Sequence, residues 1–319
     1  MTVEIAFIGT GGIADVHLKD LKEIDRADVV ATCDIDKKSA RKAAEPHDAA
    51  VYTDQEELFE DVEFDALFLC VPPFAHGQPE RLAAGHNVDI FVQKPLGLDK
   101  DVVREIEATI ENSGITAQVG YEWRYGGGVR RAREILNGRD IGYVEGYWWG
   151  GVPGGEDHWW RHREKSGGQV IEQGTHIFDT LRFLAGDVER VSAAGSHRIE
   201  SSVDFSDATS ATMEHENGAI SHISTSCGAE DSKIGLEVIA EGATLRLDAD
   251  HVEGTVDGEE IDESFDYDPY TREVEAFLDA VESGDESDIR STYSDGRRSF
   301  ELTLAVMESI DNGKPAVVE

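Results

Sequence analysis

The stretch Val3-Glu4-Ile5-Ala6-Phe7-Ile8-Gly9-Thr10-Gly11-Gly12-Ile13-Ala14 decides the fold of the first part of the chain. Its apolar run up to Ile8 predicts a buried strand, and the apolar spacing after Gly12 predicts an amphipathic helix. The glycines between them predict a tight turn from strand to helix. The first backbone N–H groups of such a helix lack intrahelical partners and lie at the positive end of its dipole, where an anion binds well.

The spacing of the small residues in this turn matches a dinucleotide-binding fingerprint. Gly9 permits the tight turn, Gly11 lets a pyrophosphate approach the main chain, and Ala14 allows the helix to lie close to the strand. A second predicted strand ends at Asp34, which follows Gly9 by 25 residues. This is near the roughly 20 residues expected for a carboxylate that binds the adenosine ribose. The turn alone also fits an ordinary strand-to-helix connection, but this context favours a dinucleotide site.

The charge balance of the chain is strongly acidic. Its 319 residues include 29 Lys and Arg and 66 Asp and Glu, which gives a formal net charge of −37. This charge argues against nucleic acid or an anionic membrane as a partner, because phosphate binding needs clustered basic residues. The acids are spread along the chain and arginines outnumber lysines, which predicts a halophilic protein. The alternative is an acidic protein adapted to ordinary salt, and thermal unfolding in low and multimolar salt distinguishes the two.

Cysteine usage and hydropathy predict a soluble, cytoplasmic protein. Cys33, Cys70 and Cys227 form no disulfide framework and fit buried thiols in a reducing compartment. No signal peptide precedes the first strand, and no apolar run approaches membrane-spanning length.

The pattern of elements changes near residue 120. Residues 1–120 alternate strand and helix, which predicts an α/β Rossmann domain with a parallel sheet. Residues 121–319 contain a helix predicted over 171–185 and strands of period two over 188–261, with hairpin signals at Asn217-Gly218 and Glu241-Gly242. They predict an α+β domain with a large, mostly antiparallel sheet.

Ligands of an open α/β sheet bind beyond the carboxyl ends of its strands. Three such ends carry polar or rigid groups, at residues 72–76, 93–95 and 121–125. Lys94 follows a buried strand and precedes a proline, so we expect it near the cofactor, where it can transfer a proton. A solvated loop lysine is the alternative.

A second group of polar residues lies in the predicted helix over 171–185. Glu172, His176 and Asp179 have helical spacing and are expected on one face, where a carboxylate can orient the imidazole for acid–base chemistry. The alternative is a packed or capping role. No metal site is predicted, because the spacing of the nearby Asp157, His158 and His162 does not fit zinc. The aromatic loop over 148–163 suits a sugar pocket, with core packing the alternative for at least half of its tryptophans.

Taken together, these residues resemble the Gfo/Idh/MocA family of glucose-fructose oxidoreductases and inositol dehydrogenases over essentially the whole chain. The matching segments are residues 9–14, Asp34, residues 72–76, Lys94-Pro95, Arg124 and residues 168–179. The resemblance implies NAD(P)-dependent oxidation of a secondary alcohol on a sugar, sugar derivative or cyclitol, or the reverse reduction. It also implies a homo-oligomer, dimer or tetramer, formed through the open sheet.

The resemblance also assigns roles to residues. Lys94 falls at the family's lysine, which contacts substrate and cofactor, His176 at the proposed base, and Glu172 at the preceding acid. The family usually has Glu at the position of Gln93 and Asp at the position of Glu172, which leaves the substrate open. The candidate catalytic residues are Lys94, His176 and Glu172. The candidate cofactor-binding residues are Gly9, Thr10, Gly11, Gly12, Ile13, Asp34, Pro72, His76, Gln93 and Lys94. The candidate substrate-binding residues are Lys94, Arg124, Trp159, Glu172 and His176.

Asp34 favours NAD, because its charge repels a 2′-phosphate, while the basic residues Lys37, Lys38 and Arg41 leave NADP open. Two other functions fit the same architecture. One is a non-catalytic dinucleotide sensor, and the other is an enzyme that uses tightly bound NAD for transient oxidation, as certain glycosidases of the family do.

Overall fold

The computed structural model describes residues 2–319, which form two compact units. The first contains the chain up to Glu122 together with Tyr270–Arg297, and the second contains Trp123–Pro269 together with Arg298–Glu319. Residues 270–297, which the sequence assigns to the second domain, therefore belong to the first unit. Within the described residues, every helix is too short or too polar to cross a bilayer.

The first unit is built on a six-stranded parallel sheet, which confirms the predicted Rossmann architecture. The strands lie in the order β3-β2-β1-β4-β5-β6. Their bounds are β1 Val3–Ile8, β2 Ala27–Cys33, β3 Ala50–Tyr52, β4 Ala66–Leu69, β5 Asp89–Gln93 and β6 Ala117–Gly120. The helices of this unit are α1 Gly12–Lys22, α2 Lys37–Ala44, α3 Gln55–Asp61, α4 Gln78–His86, α5 Lys100–Ser113 and α10 Pro269–Ser283.

A row of stacked aromatic side chains packs across the central strands of this sheet. Phe7, Phe68 and Phe91 are register partners on β1, β4 and β5, and their rings stack with centroids 5.0 and 4.8 Å apart. Phe277 of α10 packs edge-on against Phe68 and Phe91 at 5.7 and 5.6 Å. Since all four rings are fully buried, α10 completes the core of this unit.

The ends of the helices follow from capping chemistry. α5 begins after Asp99, whose carboxylate accepts the backbone N–H of Asp101, and it ends at Gly114 with a φ of 74°. α4 does not end at Gly85 as its glycine suggests. It continues through His86, because Asn87 adopts the left-handed conformation that terminates it.

The second unit contains a nine-stranded sheet in the order β14-β13-β12-β11-β7-β10-β9-β8-β15. All pairs are antiparallel except β7 with β10, and both predicted hairpins are present. The strands are β7 Ile141–Trp149, β8 Val188–Ser196, β9 Ala208–His215, β10 Ile220–Ser226, β11 Lys233–Ala240, β12 Ala243–Leu247, β13 His251–Val256, β14 Glu259–Ser264 and β15 Ala316–Val317. The helices are α6 Gly127–Leu136, α7 Arg163–Ser166, α8 Gln169–Glu172 and α9 Thr175–Ala185, and α11 Tyr293–Asn312 begins in the first unit and continues into the second.

The two faces of β7 differ in what they contact. A Cβ at Gly146 would touch Ile177 of α9, so this face lies against the helices. On the opposite face, Tyr143 pairs in register with Ile220 and Ile239, which are 47% and 51% exposed. The sheet therefore has one covered face and one open face.

Candidate active site and cofactor-binding residues

The glycine turn after β1 has the geometry that a bound phosphate needs. Gly9 has a φ of +85°, and a Cβ there would overlap the backbone carbonyl of Cys70. α1 begins at Gly12, with Gly11 as its N-cap residue. A Cβ at Gly11 or Gly12 would meet nothing within 4 Å, so the space beside these two glycines at the start of α1 is open. These residues fit the pyrophosphate of a dinucleotide.

Asp34, which follows β2, joins the end of this strand to the glycine turn by hydrogen bonds. Its Oδ2 accepts hydrogen bonds from the backbone N–H and the hydroxyl of Thr10, both at 2.9 Å, and its Oδ1 accepts the N–H of Asp36 at 2.8 Å. The next side chain, Ile35, is 99% exposed. Sequence reasoning missed Ile35, because one apolar residue after the acid carries no periodic signal.

The loop after β4 contains a buried His–Glu pair. His76 Nδ1 lies 2.7 Å from Glu80 Oε1, and Glu80 Oε2 accepts the N–H of Gly77 at 2.7 Å. Both side chains are buried. His76 Nε2 has no hydrogen-bond partner among the described residues, so the carboxylate orients a ring with one unsatisfied nitrogen. The i, i+4 spacing was the available signal for Glu80, which sequence reasoning missed.

Gln93 at the end of β5 faces the interior of the first unit. Its side-chain nitrogen lies 2.7 Å from His17 Nε2, and its amide packs against Gly120. Burial lowers the pKa of His17 to about 3, so this imidazole is neutral at physiological pH. The Gln93 side chain thus supports the end of β5. The next residue, Lys94, is partly exposed, and the peptide bond between Lys94 and Pro95 is cis.

Glu172 and His176 lie on two helices and not on one. α8 ends at Glu172 and α9 begins at Thr175. The prediction of a single helix over 171–185 is therefore wrong. The break lies at Gly174, whose N–H bonds to the carbonyl of Gln169 at 2.7 Å, one residue beyond the α-helical partner. The two side chains therefore do not share a continuous helical face.

Aromatic rings surround both of these groups within the second unit. The His176 ring stacks on Trp148 with centroids 5.4 Å apart and an interplanar angle of 16°, and Trp123 lies 6.4 Å from Trp148. The indole N–H of Trp160 donates to Glu172 Oε2 at 2.5 Å. An imidazole stacked on one indole and a carboxylate that accepts the N–H of another suit a ligand that presents hydroxyl groups.

Two predicted residues of this group are held inside the protein. Arg124 is 2% exposed, and its Nε and Nη2 donate to the two carboxylate oxygens of Asp179 at 2.8 and 2.7 Å. The Ser299 hydroxyl donates to the same carboxylate at 2.6 Å. We therefore omit Arg124 from the proposed substrate-binding set, and Asp179 does not share a face with Glu172.

Two adjacent tryptophans of the aromatic loop over 148–163 lie in different environments, one near the surface and one in the core. Trp159 is partly exposed and contacts the ring of His158, whereas Trp160 is buried in a cluster with Val203, Phe205 and Cys227. Sequence reasoning missed Trp160, because nothing local distinguishes its indole from that of Trp159.

A group of metal-binding side chains lies elsewhere, on the β13–β14 hairpin. The ligand atoms of His251, Glu253 and Asp262 are within 4.8 Å of one another. His251 Nε2 lies 2.9 Å from Asp262, and Arg246 donates to Glu253 at 2.8 Å. These contacts already satisfy the group without a metal ion.

Two sequence profiles match the chain. The profile of the oxidoreductase family with an NAD-binding Rossmann fold, GFO_IDH_MocA, matches residues 3–121, and the GFO/IDH/MocA C-terminal domain matches residues 129–246. The chain belongs to the GFO/IDH/MocA family. This confirms the resemblance found from the sequence, and the protein is thus a member of an NAD-binding oxidoreductase family.

Similar proteins within this family include dehydrogenases. The uncharacterized oxidoreductase YrbE of Bacillus subtilis is 27% identical and covers 100% of this chain and 98% of its own. The myo-inositol 2-dehydrogenase of Thermotoga maritima is 26% identical, with 99% of each chain covered. The structure of levoglucosan dehydrogenase in complex with NADH and levoglucosan has a TM-score of 0.91, with 16% identity and 100% of each chain covered, which shows that the fold is shared.

Replacements of Gly9 and Gly11 by alanine are expected to separate folding from cofactor binding. Gly9→Ala should lower the free energy of unfolding by more than about 2 kcal/mol, because its φ and its overlap with Cys70 both oppose a side chain. Gly11→Ala has room for its methyl group and an ordinary φ of −78°, so its melting temperature should not change. Its affinity for NAD should nevertheless fall at least about tenfold, because the methyl group occupies the approach to the pyrophosphate. Thermal unfolding and calorimetric titration measure both, and equal NAD affinity in Gly11→Ala and wild type would contradict this assignment.

Proposed function

We propose that the protein transfers hydride between NAD and a secondary alcohol of a sugar, a sugar derivative or a cyclitol. The observations that carry this proposal are an imidazole stacked on an indole, His176 on Trp148, and a carboxylate held by an indole N–H, Glu172 by Trp160, in an NAD-binding oxidoreductase. Aromatic faces pack against the C–H faces of a sugar ring, while charged groups bind its hydroxyls.

In this proposal the glycine turn and Asp34 hold the cofactor. NAD, when bound, supplies the hydride acceptor or donor of the reaction. The N–H groups at the start of α1 bind its phosphates, Asp34 binds the adenosine ribose, and the exposed Ile35 offers an apolar surface to the base. Asp36 donates its backbone N–H to Oδ1 of Asp34 and so helps to fix the carboxylate that favours NAD over NADP.

Lys94, His176 and Glu172 act on the substrate. One of the two basic groups, Lys94 or His176, takes the hydroxyl proton when the alcohol is oxidised and returns it in the reverse direction. The other stabilises the developing charge on the oxygen by a hydrogen bond. Glu172 binds a neighbouring hydroxyl and so fixes which carbon presents its hydrogen.

The substrates for which two similar enzymes are named support the proposed substrate class. Myo-inositol and levoglucosan are both polyhydroxylated rings, and the dehydrogenases named for them share this architecture. Their low sequence identity leaves the individual sugar or cyclitol to experiment.

The proposal is tested by following the absorbance of reduced nicotinamide with a panel of aldoses and cyclitols, in high and low salt. We expect NAD+ to be reduced with at least one of them and to be used more efficiently than NADP+. A sensor would bind NAD without turnover with any compound. An enzyme with transient oxidation would retain NAD through purification and show no net reduction. Either of these results would overturn the proposed function.

A further inference from the structure

We propose that Trp160 is a positioning residue for the reaction, and that it acts by holding the Glu172 carboxylate in one orientation. The inference rests on the proposed function, because it is Glu172 that the function places against the substrate. Trp160 lies within a buried cluster and contributes a single hydrogen bond to the site.

The bond between the two side chains is short and directional. Trp160 Nε1 and Glu172 Oε2 are 2.5 Å apart, and the indole is 1% exposed. An indole nitrogen can only donate a hydrogen bond, and a carboxylate oxygen can only accept one while it is ionised. Bonds of this kind are shorter and stronger than bonds between neutral groups, so this contact limits the rotation of the carboxylate.

The position of the indole is fixed from behind. Its ring meets Phe205 edge-on, with centroids 5.2 Å apart and an interplanar angle of 76°, and Val203 and Cys227 complete the cluster. Phe205 also packs against Gly168, the residue before α8, where a Cβ would lie 3.2 Å from the ring. One aromatic ring therefore supports both the donor and the helix that carries the acceptor.

The segment that carries Phe205 is itself held by a buried carboxylate. Asp207 Oδ2 accepts the backbone N–H groups of Arg198, Ile199 and Glu200 at 2.8, 2.5 and 2.7 Å. Burial opposes the charge of Asp207, but these three donors outweigh it and hold its pKa below the usual value. Its backbone carbonyl also accepts the N–H of Cys227 at 3.0 Å. Asp207 thus joins the segment over 198–207 to the end of β10, and the cluster under Trp160 has a rigid base.

The Glu172 side chain is long enough for its carboxylate to reach the indole nitrogen of Trp160. Aspartate at this position would be one methylene shorter, and its carboxylate would not reach an indole that the cluster holds in place. Trp160 and Glu172 therefore form a matched pair, in which a buried indole sets the position of the carboxylate.

Trp160→Phe removes the donor while it keeps an aromatic ring in the cluster. We expect kcat to fall about 10- to 100-fold with KM changed less than about threefold, because a misplaced group of this kind impairs the reacting geometry more than substrate binding. The matched control is Tyr143→Phe, which removes an aromatic hydroxyl donor to the Glu145 carboxylate on the open face of the sheet and should leave kcat unchanged. Wild-type kcat in Trp160→Phe would overturn the inference.

Two further measurements separate a positioning role from a merely structural one. If Trp160 acts through Glu172, then Trp160→Phe should add little to the loss already caused by Glu172→Gln, and additive losses would contradict the inference. The ¹⁵N-indole resonance of Trp160, identified by its absence in Trp160→Phe, should move upfield and exchange faster with solvent in Glu172→Asp. This spectrum needs no substrate, so it tests the bond even if no alcohol in the panel is oxidised. An indole resonance unaffected by Glu172→Asp would overturn the inference by itself, whereas inactivity of the wild type would overturn only the proposed function.

Discussion

Lys94→Met is expected to lower kcat/KM for alcohol oxidation by about a thousandfold, with most of the loss in kcat. Methionine retains the unbranched stem of lysine but can neither donate nor accept a proton, and general acid–base catalysis contributes about 10²- to 10⁴-fold in rate. Lys94 directly follows the buried end of β5, where the His17–Gln93 contact and Pro95 restrict the backbone. The ammonium group is thus carried by a fixed strand end and not by a mobile loop.

Steady-state kinetics and NAD titration check this prediction together. NAD should still bind to Lys94→Met, because the glycine turn and Asp34 are unchanged. The control is Lys314→Met, which removes an exposed lysine near the chain end and should have wild-type kinetics. Turnover in Lys94→Met close to that of wild type would remove Lys94 from the mechanism.

Asp179→Leu is expected to lower the free energy of unfolding by about 3–5 kcal/mol, because it removes the buried carboxylate to which the buried guanidinium of Arg124 donates two hydrogen bonds. Ser299 extends the effect, since its hydroxyl donates to Asp179 and accepts a hydrogen bond from Arg182 at 2.8 Å. Denaturant unfolding should show a lower midpoint with an unchanged slope, which indicates reduced stability without a change in the surface exposed on unfolding.

Two variants test the physical reason for this loss. The double variant Arg124→Met/Asp179→Leu should recover much of the stability, because no unpaired charge remains buried. Glu214→Gln weakens the exposed ion pair with Arg190 and should change the stability little, because solvent screens exposed charges. A loss in Asp179→Leu no larger than that in Glu214→Gln would contradict the structural role of the Arg124–Asp179 pair.

The parts of the fold that the sequence predicts well are those with local signals. The β1–α1 turn has its glycines where backbone conformation and close approach require them, and the hairpins at Asn217-Gly218 and Glu241-Gly242 occur where turn chemistry permits little else. The parallel sheet follows from strands alternating with helices. The cofactor class follows from the glycine turn together with Asp34, whose place at the end of the next strand brings it into contact with the turn.

The features that the sequence does not predict depend on contacts between distant residues. The spacing in α10 indicates that one face is buried, but not that this face packs on Phe68 and Phe91 of the first unit. The Gln93–His17 and Trp160–Glu172 contacts join residues of different elements, so no periodic pattern marks them. The helix break at Gly174 is a local competition between hydrogen bonds that periodicity does not resolve. Salt adaptation and the oligomeric state stay predictions, because they concern the solution and other copies of the chain.

The most direct test of the proposed chemistry is to trace the transferred hydrogen. A cyclitol or sugar found active in the panel is prepared with deuterium at the carbon that bears the oxidised hydroxyl, incubated with the protein and NAD+, and the cofactor is examined by NMR. Our account predicts deuterium at C4 of the nicotinamide ring in wild type and about a thousandfold slower appearance in Lys94→Met. Reduced cofactor without deuterium, or no reduced cofactor with any polyol, would contradict it.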